Sequence, residues 1–148
     1  MHGIKTNILT TGTRPIAALT TATIGLICTA TAAEGAATDA LDTAFPLDTP
    51  VLVTDIRRAL ADAGTGGTLK PALEAIADQA SPILIVVRVD VDELTQDDLV
   101  VGDLGTYTGM QALLSAEAQT GRRPRIIGAP GLDTRAAPLP FMAYAARA

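Results

Sequence analysis

The chain has 148 residues, a net charge of −5 and 48% hydrophobic residues, which is the size and composition of one globular domain. Its aromatic content of 3% and its negative charge are unfavourable for stacking on bases and for binding a phosphate backbone, so we expect no nucleic-acid partner. One cysteine, one histidine and the lack of a membrane-length apolar run predict no disulfide, metal site, His-dependent catalytic site or membrane span.

Residues 1–20 are predicted to form an extended N-terminal arm. Ile4, Thr6 and Ile8 alternate along it, and no helix-capping signal precedes them. A strand-like segment without a partner in its own chain is a candidate for pairing with another chain.

The same region has a competing interpretation as a secretory signal peptide. Lys5 and Arg14 precede an apolar stretch that ends in small residues, which is the outline of such a signal. Pro15 and the many threonines disfavour it.

The next segments predict a first strand over residues 23–29, with Gly25 allowing close packing, and a short second strand over residues 51–53. Between them, residues 34–43 are small, polar and acidic and predict an exposed loop.

Two helices are predicted over residues 55–63 and 69–80, with Thr54 and Thr68 as N-caps and Gly64 as a stop. The glycine-rich link at residues 64–68 suggests a phosphate-binding loop. However, it follows a helix rather than a strand and lacks the Gly-Lys-Ser/Thr ending, so we predict a plain linker.

Residues 83–89 form the most apolar run of the chain and predict the central strand, covered on both faces. The order strand, helix, helix, strand predicts a right-handed crossover and parallel pairing with residues 51–53.

Residues 90–105 are acidic, but Thr95 and Val101 stand where a calcium-binding EF-hand loop needs Gly and Glu, so we predict a solvated loop. A helix over 109–119 and a strand over 125–129 follow. The arginines at positions 122, 123 and 125 are expected to complement the dipole at the helix end.

The last segment, residues 135–148, contains Pro138 and Pro140, which prevent the covering helix that an alternating chain should form there. The predicted fold is therefore α/β: a partial three-layer Rossmann-like sandwich with a mainly parallel sheet and an extended N-terminal arm. We assign residues 1–20 to the arm, 21–134 to an incomplete domain with part of one sheet face bare, and 135–148 to an atypical Pro/Ala-rich tail.

Several stretches together resemble the N-terminal part of contractile tail sheath proteins of P2-like myophages and contractile bacteriocins. The stretches are residues 2–4, 12–16, 21–30, 45–53, 67–69, 75–79, 86–89, 107–114 and 124–134. Their order along the chain makes the resemblance specific.

The resemblance implies a structural, non-enzymatic subunit without cofactor that packs around a tail tube and contracts to drive it through a cell envelope. Its partners would be the tube protein and other sheath subunits, reached by strand exchange of the arm, with Ile4, Thr6 and Ile8 pairing onto the C-terminal domain of a neighbour. The implied location is the virion tail, after assembly in the host cytoplasm.

The chain departs from the family after residue 134, where sheath proteins continue into a helix and a C-terminal domain. The Ala/Pro/Arg-rich tail resembles an out-of-frame translation, which suggests a truncated prophage remnant. The alternative is a small α/β nucleotide-binding or secreted protein of unknown activity.

Overall fold

The computed structural model describes residues 23–33, 37–92 and 94–132. The predicted arm at 1–20 and tail at 135–148 lie outside these ranges. The strands are β1 (Ile24–Thr31), β2 (Pro50–Val53), β3 (Gly66–Gly67), β4 (Leu84–Val89) and β5 (Ile126–Gly128). The α-helices are α1 (Asp39–Ala44), α2 (Ile56–Asp62), α3 (Leu69–Ala77), α4 (Gln96–Val101) and α5 (Ala116–Thr120), and a 3₁₀ helix spans Gly109–Leu114.

The sheet is built on a parallel pair, β1 and β4, in register from Ile24 opposite Leu84 to Thr29 opposite Val89. β5 adds to β1 in parallel, β2 adds to β4 antiparallel, and β3 pairs with the carboxyl end of β1. All six residues of β4 are buried, as the aliphatic run predicts for a strand covered on both faces. The fold is thus mixed α/β with a mostly parallel sheet.

The predicted parallel pairing of residues 51–53 with the central strand is wrong, because β2 and β4 are antiparallel. After β2, the chain passes through α2 to β3, which lies at the carboxyl end of β1. α3 then returns it to the opposite end, where β4 begins beside Ile24. Because two helices cross the sheet between β2 and β4, β4 starts at the same end of the sheet where β2 finished.

Two of the predicted loops contain helices instead. Within residues 34–43, α1 buries Leu41 and is followed by the buried Phe45, four positions on and therefore on the same helical side. Within residues 90–105, α4 carries its acidic residues in the first turn. In both segments, the acidic composition predicted a loop, because only a few residues of each short helix pack into the interior.

The caps and helix ends also differ from the predictions. Asp55, not Thr54, caps α2 by accepting hydrogen bonds from the backbone of Arg57 and Arg58 at 3.0 and 3.2 Å. Gly64 has a positive φ of 72°, as expected of the residue that ends α2. The predicted helix over 109–119 is divided at Ser115, and α5 carries no basic residue in its last turn, so the three arginines follow the helix.

Side chains pack against both faces of the β1–β4 pair. On the first face, Leu26, Cys28 and Val86 contact a cluster that includes residues of α1, α2 and α3. On the second face, Ile27, Ile85, Val87 and Val89 pack against the 3₁₀ helix and α5. The expectation of a bare face is therefore wrong for β1 and β4. At β5, by contrast, Ile126 remains 53% exposed.

Candidate interaction surfaces

The predicted arm residues Ile4, Thr6 and Ile8 lie outside the described residues. Their pairing remains a prediction.

The glycine-rich loop at residues 64–68 packs on β1 and is more than the predicted linker. Gly67 has a φ of +87°, and a Cβ there would collide with the backbone carbonyl of Thr29. The hydroxyl of Thr68 accepts a hydrogen bond from Thr29 N at 3.1 Å, and the hydroxyl of Thr29 accepts one from Thr68 N at 3.2 Å. The glycines thus let two backbones approach closely, and the space that a phosphate would need beside them holds β1.

The acidic residues after β4 are used to build turns. Asp92 accepts a hydrogen bond from Leu94 N at 2.8 Å, and Asp103 accepts one from Thr106 N at 3.1 Å. Hydrogen bonds of this kind favour the ionised carboxylates: the backbone N–H of Leu94 is the largest cause that lowers the pKa of Asp92, and the backbone N–H of Gly105, followed by Thr106, lowers the pKa of Asp103. No three His, Cys, Asp or Glu side chains within residues 23–33, 37–92 and 94–132 converge as metal ligands.

Cys28 lies in the middle of β1 and is fully buried. Burial raises the pKa of its thiol to about 12, partly opposed by a hydrogen bond with Thr68. A protonated thiol without solvent access is a weak nucleophile, so Cys28 serves as a core residue.

Among the residues that the structure describes, one charged side chain is buried. Arg88, in β4, is 5% exposed and pairs with Asp42 of α1, whose side chain is 50% exposed. The hydrogen bond from Arg88 lowers the pKa of Asp42. Arg88 also points towards the carbonyl of Ala30, at 3.5 Å. The pair ties α1 to the central strand, because burying the guanidinium without its carboxylate partner is costly.

The loop before β2, which pairs with Arg88 of β4, and the loop before the 3₁₀ helix expose apolar side chains and contain strained backbone. Leu47 and Tyr107 are 44% and 48% exposed. Asp48 and Tyr107 have positive φ angles of 52° and 54°, which non-glycine residues seldom adopt. Asp48 accepts a hydrogen bond from Gly109 N at 2.7 Å, which fixes the loop before β2 to the start of the 3₁₀ helix.

A groove of about 780 Å³ lies between α1, β2 and α2. We call this surface, formed by α1, residues 51–54 and α2, the β2 groove. Residues 51–54 line it consecutively, although alternate residues of a strand point to opposite faces, so the groove runs along the strand edge. Sequence reasoning missed it, because the pattern of residues 51–53 does not show which strand lies at an edge.

Comparison with known proteins finds similarity to phage tail sheath proteins. The model of the N-terminal region of domain III of the tail sheath protein Gp18 matches residues 21–89, from before β1 to the end of β4. The tail sheath protein of Escherichia phage P2 is 41% identical over 145 residues, covering 90% of this chain and 35% of the relative. The chain is similar to part of phage tail sheath proteins.

Two further tail sheath relatives agree. The major tail sheath protein of Serratia phage KSP20 is 49% identical over 107 residues, covering 67% of this chain and 27% of the relative. A prophage major tail sheath protein of Pseudomonas aeruginosa is 33% identical over 135 residues, covering 88% of this chain and 33% of the relative. The chain thus spans roughly a third of the length of these tail sheath proteins, and the resemblance inferred from its sequence is confirmed.

Among the described residues of this chain, no helix combines the length and the apolar character needed to cross a membrane.

Proposed function

We propose that the chain is a structural subunit, or part of one, of a contractile tail sheath that surrounds a tail tube and drives it through a cell envelope. The observation that carries the proposal is the 41% identity with the phage P2 tail sheath protein over 90% of this chain. Its place is then the virion tail, with assembly in the host cytoplasm. The tail tube protein and other sheath subunits are its partners.

A non-enzymatic role fits this proposal. Contraction would draw its free energy from changes in subunit contacts and not from nucleotide hydrolysis. The packing of the glycine-rich loop against the β1 backbone supports this interpretation, because that loop was the best candidate in the sequence for a phosphate cradle.

The proposal extends to the organisation of the chain. Residues 1–20 act as an arm that exchanges with another sheath subunit, and Ile4, Thr6 and Ile8 supply the face that packs. Residues 21–134 form a partial three-layer Rossmann-like sandwich, supported by the side-chain clusters on both faces of β1 and β4. Residues 135–148 form a separate tail.

Co-assembly with a known sheath tests the function. The full chain with an affinity tag is produced together with the phage P2 tail sheath and tube proteins, and the particles are sedimented. We expect the tagged chain in the particle fraction. A matched variant, Ile4→Asp with Ile8→Asp, keeps the domain and disables the arm, so it should sediment less. Wild-type chain that stays in the supernatant while the P2 sheath sediments would contradict the proposal.

A further inference from the structure

Exposed apolar side chains lie where two loops meet near the carboxyl end of β4. Leu47 forms a bridge with Arg88, the penultimate residue of β4, and is 44% exposed. Leu104 and Tyr107 are 50% and 48% exposed in the loop before the 3₁₀ helix. The hydrogen bond that Asp48 accepts from the start of the 3₁₀ helix joins the two loops. We call this surface the carboxyl-end patch, and its residues are Leu47, Asp48, Asp103, Leu104 and Tyr107.

The backbone of the carboxyl-end patch is fixed by its own hydrogen bonds. Asp48 and Tyr107 hold positive φ angles, a strain that persists only where the surrounding structure maintains it and that is concentrated at functional sites. Asp103 accepts hydrogen bonds from Thr106 N at its side chain and from Thr108 N at its carbonyl, at 3.1 and 3.2 Å. A surface that is ordered before binding loses little conformational entropy when a partner docks.

The charge of this patch restricts its partner. Asp48 and Asp103 place negative charge beside the exposed apolar side chains, and carboxylates are ionised at neutral pH. Two copies of the same patch would therefore repel each other, which disfavours a symmetric contact between identical surfaces. A partner that fits carries cations next to an exposed apolar side chain.

The opposite end of the sheet carries this chemistry. Ile126 is 53% exposed where β5 begins beside Ile24, the first residue of β1. Arg122 and Arg125 precede it and are exposed, and Arg125 N donates a hydrogen bond to Thr23 O at 2.8 Å. The six residues of β4 separate the two ends by about 17 Å. We call this surface the amino-end patch, and its residues are Arg122, Arg125 and Ile126.

We propose that the carboxyl-end patch of one copy of this chain docks on the amino-end patch of a second copy. Charge complementarity favours this occupant, because the two patches carry opposite charges beside exposed apolar side chains. The contact joins two different surfaces, so its repetition gives a ring or an open chain of copies. The inference rests on the proposed sheath function for the identity of the partner, and it adds a contact that does not use the arm.

Two complementary variants of the full chain test the contact by sedimentation velocity. Leu104→Arg places a cation in the carboxyl-end patch, and Arg122→Glu with Arg125→Glu reverses the charge of the amino-end patch. Both variants are made in the arm-disabled chain, which carries Ile4→Asp with Ile8→Asp. We expect each variant alone to self-associate about tenfold more weakly than the arm-disabled chain. An equimolar mixture should regain association, because each variant keeps the intact patch that the other one needs.

Matched substitutions outside the two patches control for the change in net charge. Arg57→Glu with Arg58→Glu makes the same charge change at exposed positions in the first turn of α2, where acidic residues are compatible with the helix dipole. Leu52→Arg adds a cation at an exposed leucine of β2. Both controls should self-associate as the arm-disabled chain does. Added salt should weaken the association of all three.

The outcomes separate the inference from the proposed function. An arm-disabled chain that stays monomeric, a mixture that stays as two monomers, or an equal loss in the controls overturns the inference. A chain that sediments with the P2 sheath but shows no association through these patches would refute only the head-to-tail contact. A chain that associates through them but never sediments with the P2 sheath would refute only the sheath function.

Discussion

The packing of the second sheet face can be tested at Gly25, in β1. A Cβ at this position would lie 3.0 Å from Cβ of Pro124 and 3.2 Å from Cδ1 of Leu113. Both distances are shorter than ordinary van der Waals contact, so Gly25→Ala should overpack the site and lower the free energy of unfolding by about 1–3 kcal/mol. Leu113 is 2% exposed, and Leu113→Ala should cost about 2–5 kcal/mol.

The double variant is the informative one. Leu113→Ala removes the methyl groups that an added Cβ at Gly25 would meet, while Pro124 keeps its position. The double variant should therefore lose less stability than the sum of the losses of the two single variants, with a coupling free energy of about 0.5–3 kcal/mol. Leu73, fully buried on the first face, supplies the control: Gly25→Ala with Leu73→Ala should be additive within about 0.5 kcal/mol.

Equilibrium unfolding in urea, followed by far-UV circular dichroism, measures these free energies. Additivity of Gly25→Ala with Leu113→Ala, or a neutral Gly25→Ala, would refute the packing of the 3₁₀ helix on β1. Coupling of the same size with Leu73→Ala would show that the effect is not local.

Three further predictions concern the Arg88–Asp42 pair, Gly67 and Cys28. Asp42→Asn should destabilise the fold at neutral pH more than Arg88→Met, because it leaves a buried guanidinium without its carboxylate. The hydrogen bond from Arg88 lowers the folded-state pKa of Asp42 below its usual 3.8, so the ion pair stabilises the fold above that pH and loses this effect on further acidification. The free energies of unfolding of wild type and Asp42→Asn, measured in urea, should therefore converge as the pH falls below 3.8. A difference between them that does not depend on pH would contradict this prediction. Gly67→Ala should cost about 1–3 kcal/mol or more through its φ of +87°, with an unchanged melting temperature as the opposing result. Cys28, with a pKa of about 12, should react with a thiol reagent at pH 8 only after denaturant is added; rapid labelling of the folded chain would show that it is not buried.

The sequence was sufficient to find the elements whose side chains are buried on all sides. The aliphatic run of β4 identified the central strand, and Gly64 marked the end of α2 by its need for a positive φ. Segments whose packing rests on few residues were missed. Leu41 and Phe45 bury one side of α1, but the surrounding small and acidic residues have the composition of a loop.

Long-range relations were the least accessible to sequence reasoning. The direction of β2 depends on how many helices cross the sheet before β4, and the short β3 that marks the turning point consists of two glycines. The edge position of β2, and with it the β2 groove, follows from strand order and not from any local pattern. The ion pair of Arg88 with Asp42 joins residues 46 positions apart, so no spacing rule suggested it.

The most direct test of the proposed sheath function is electron cryo-microscopy of particles assembled from this chain with the phage P2 tail sheath and tube proteins. We expect that ring subunits containing the tagged chain surround the tube and show the sheet order β2-β4-β1-β5. Particles whose ring subunits all lack the tag, with the chain recovered only as free protein, would contradict it.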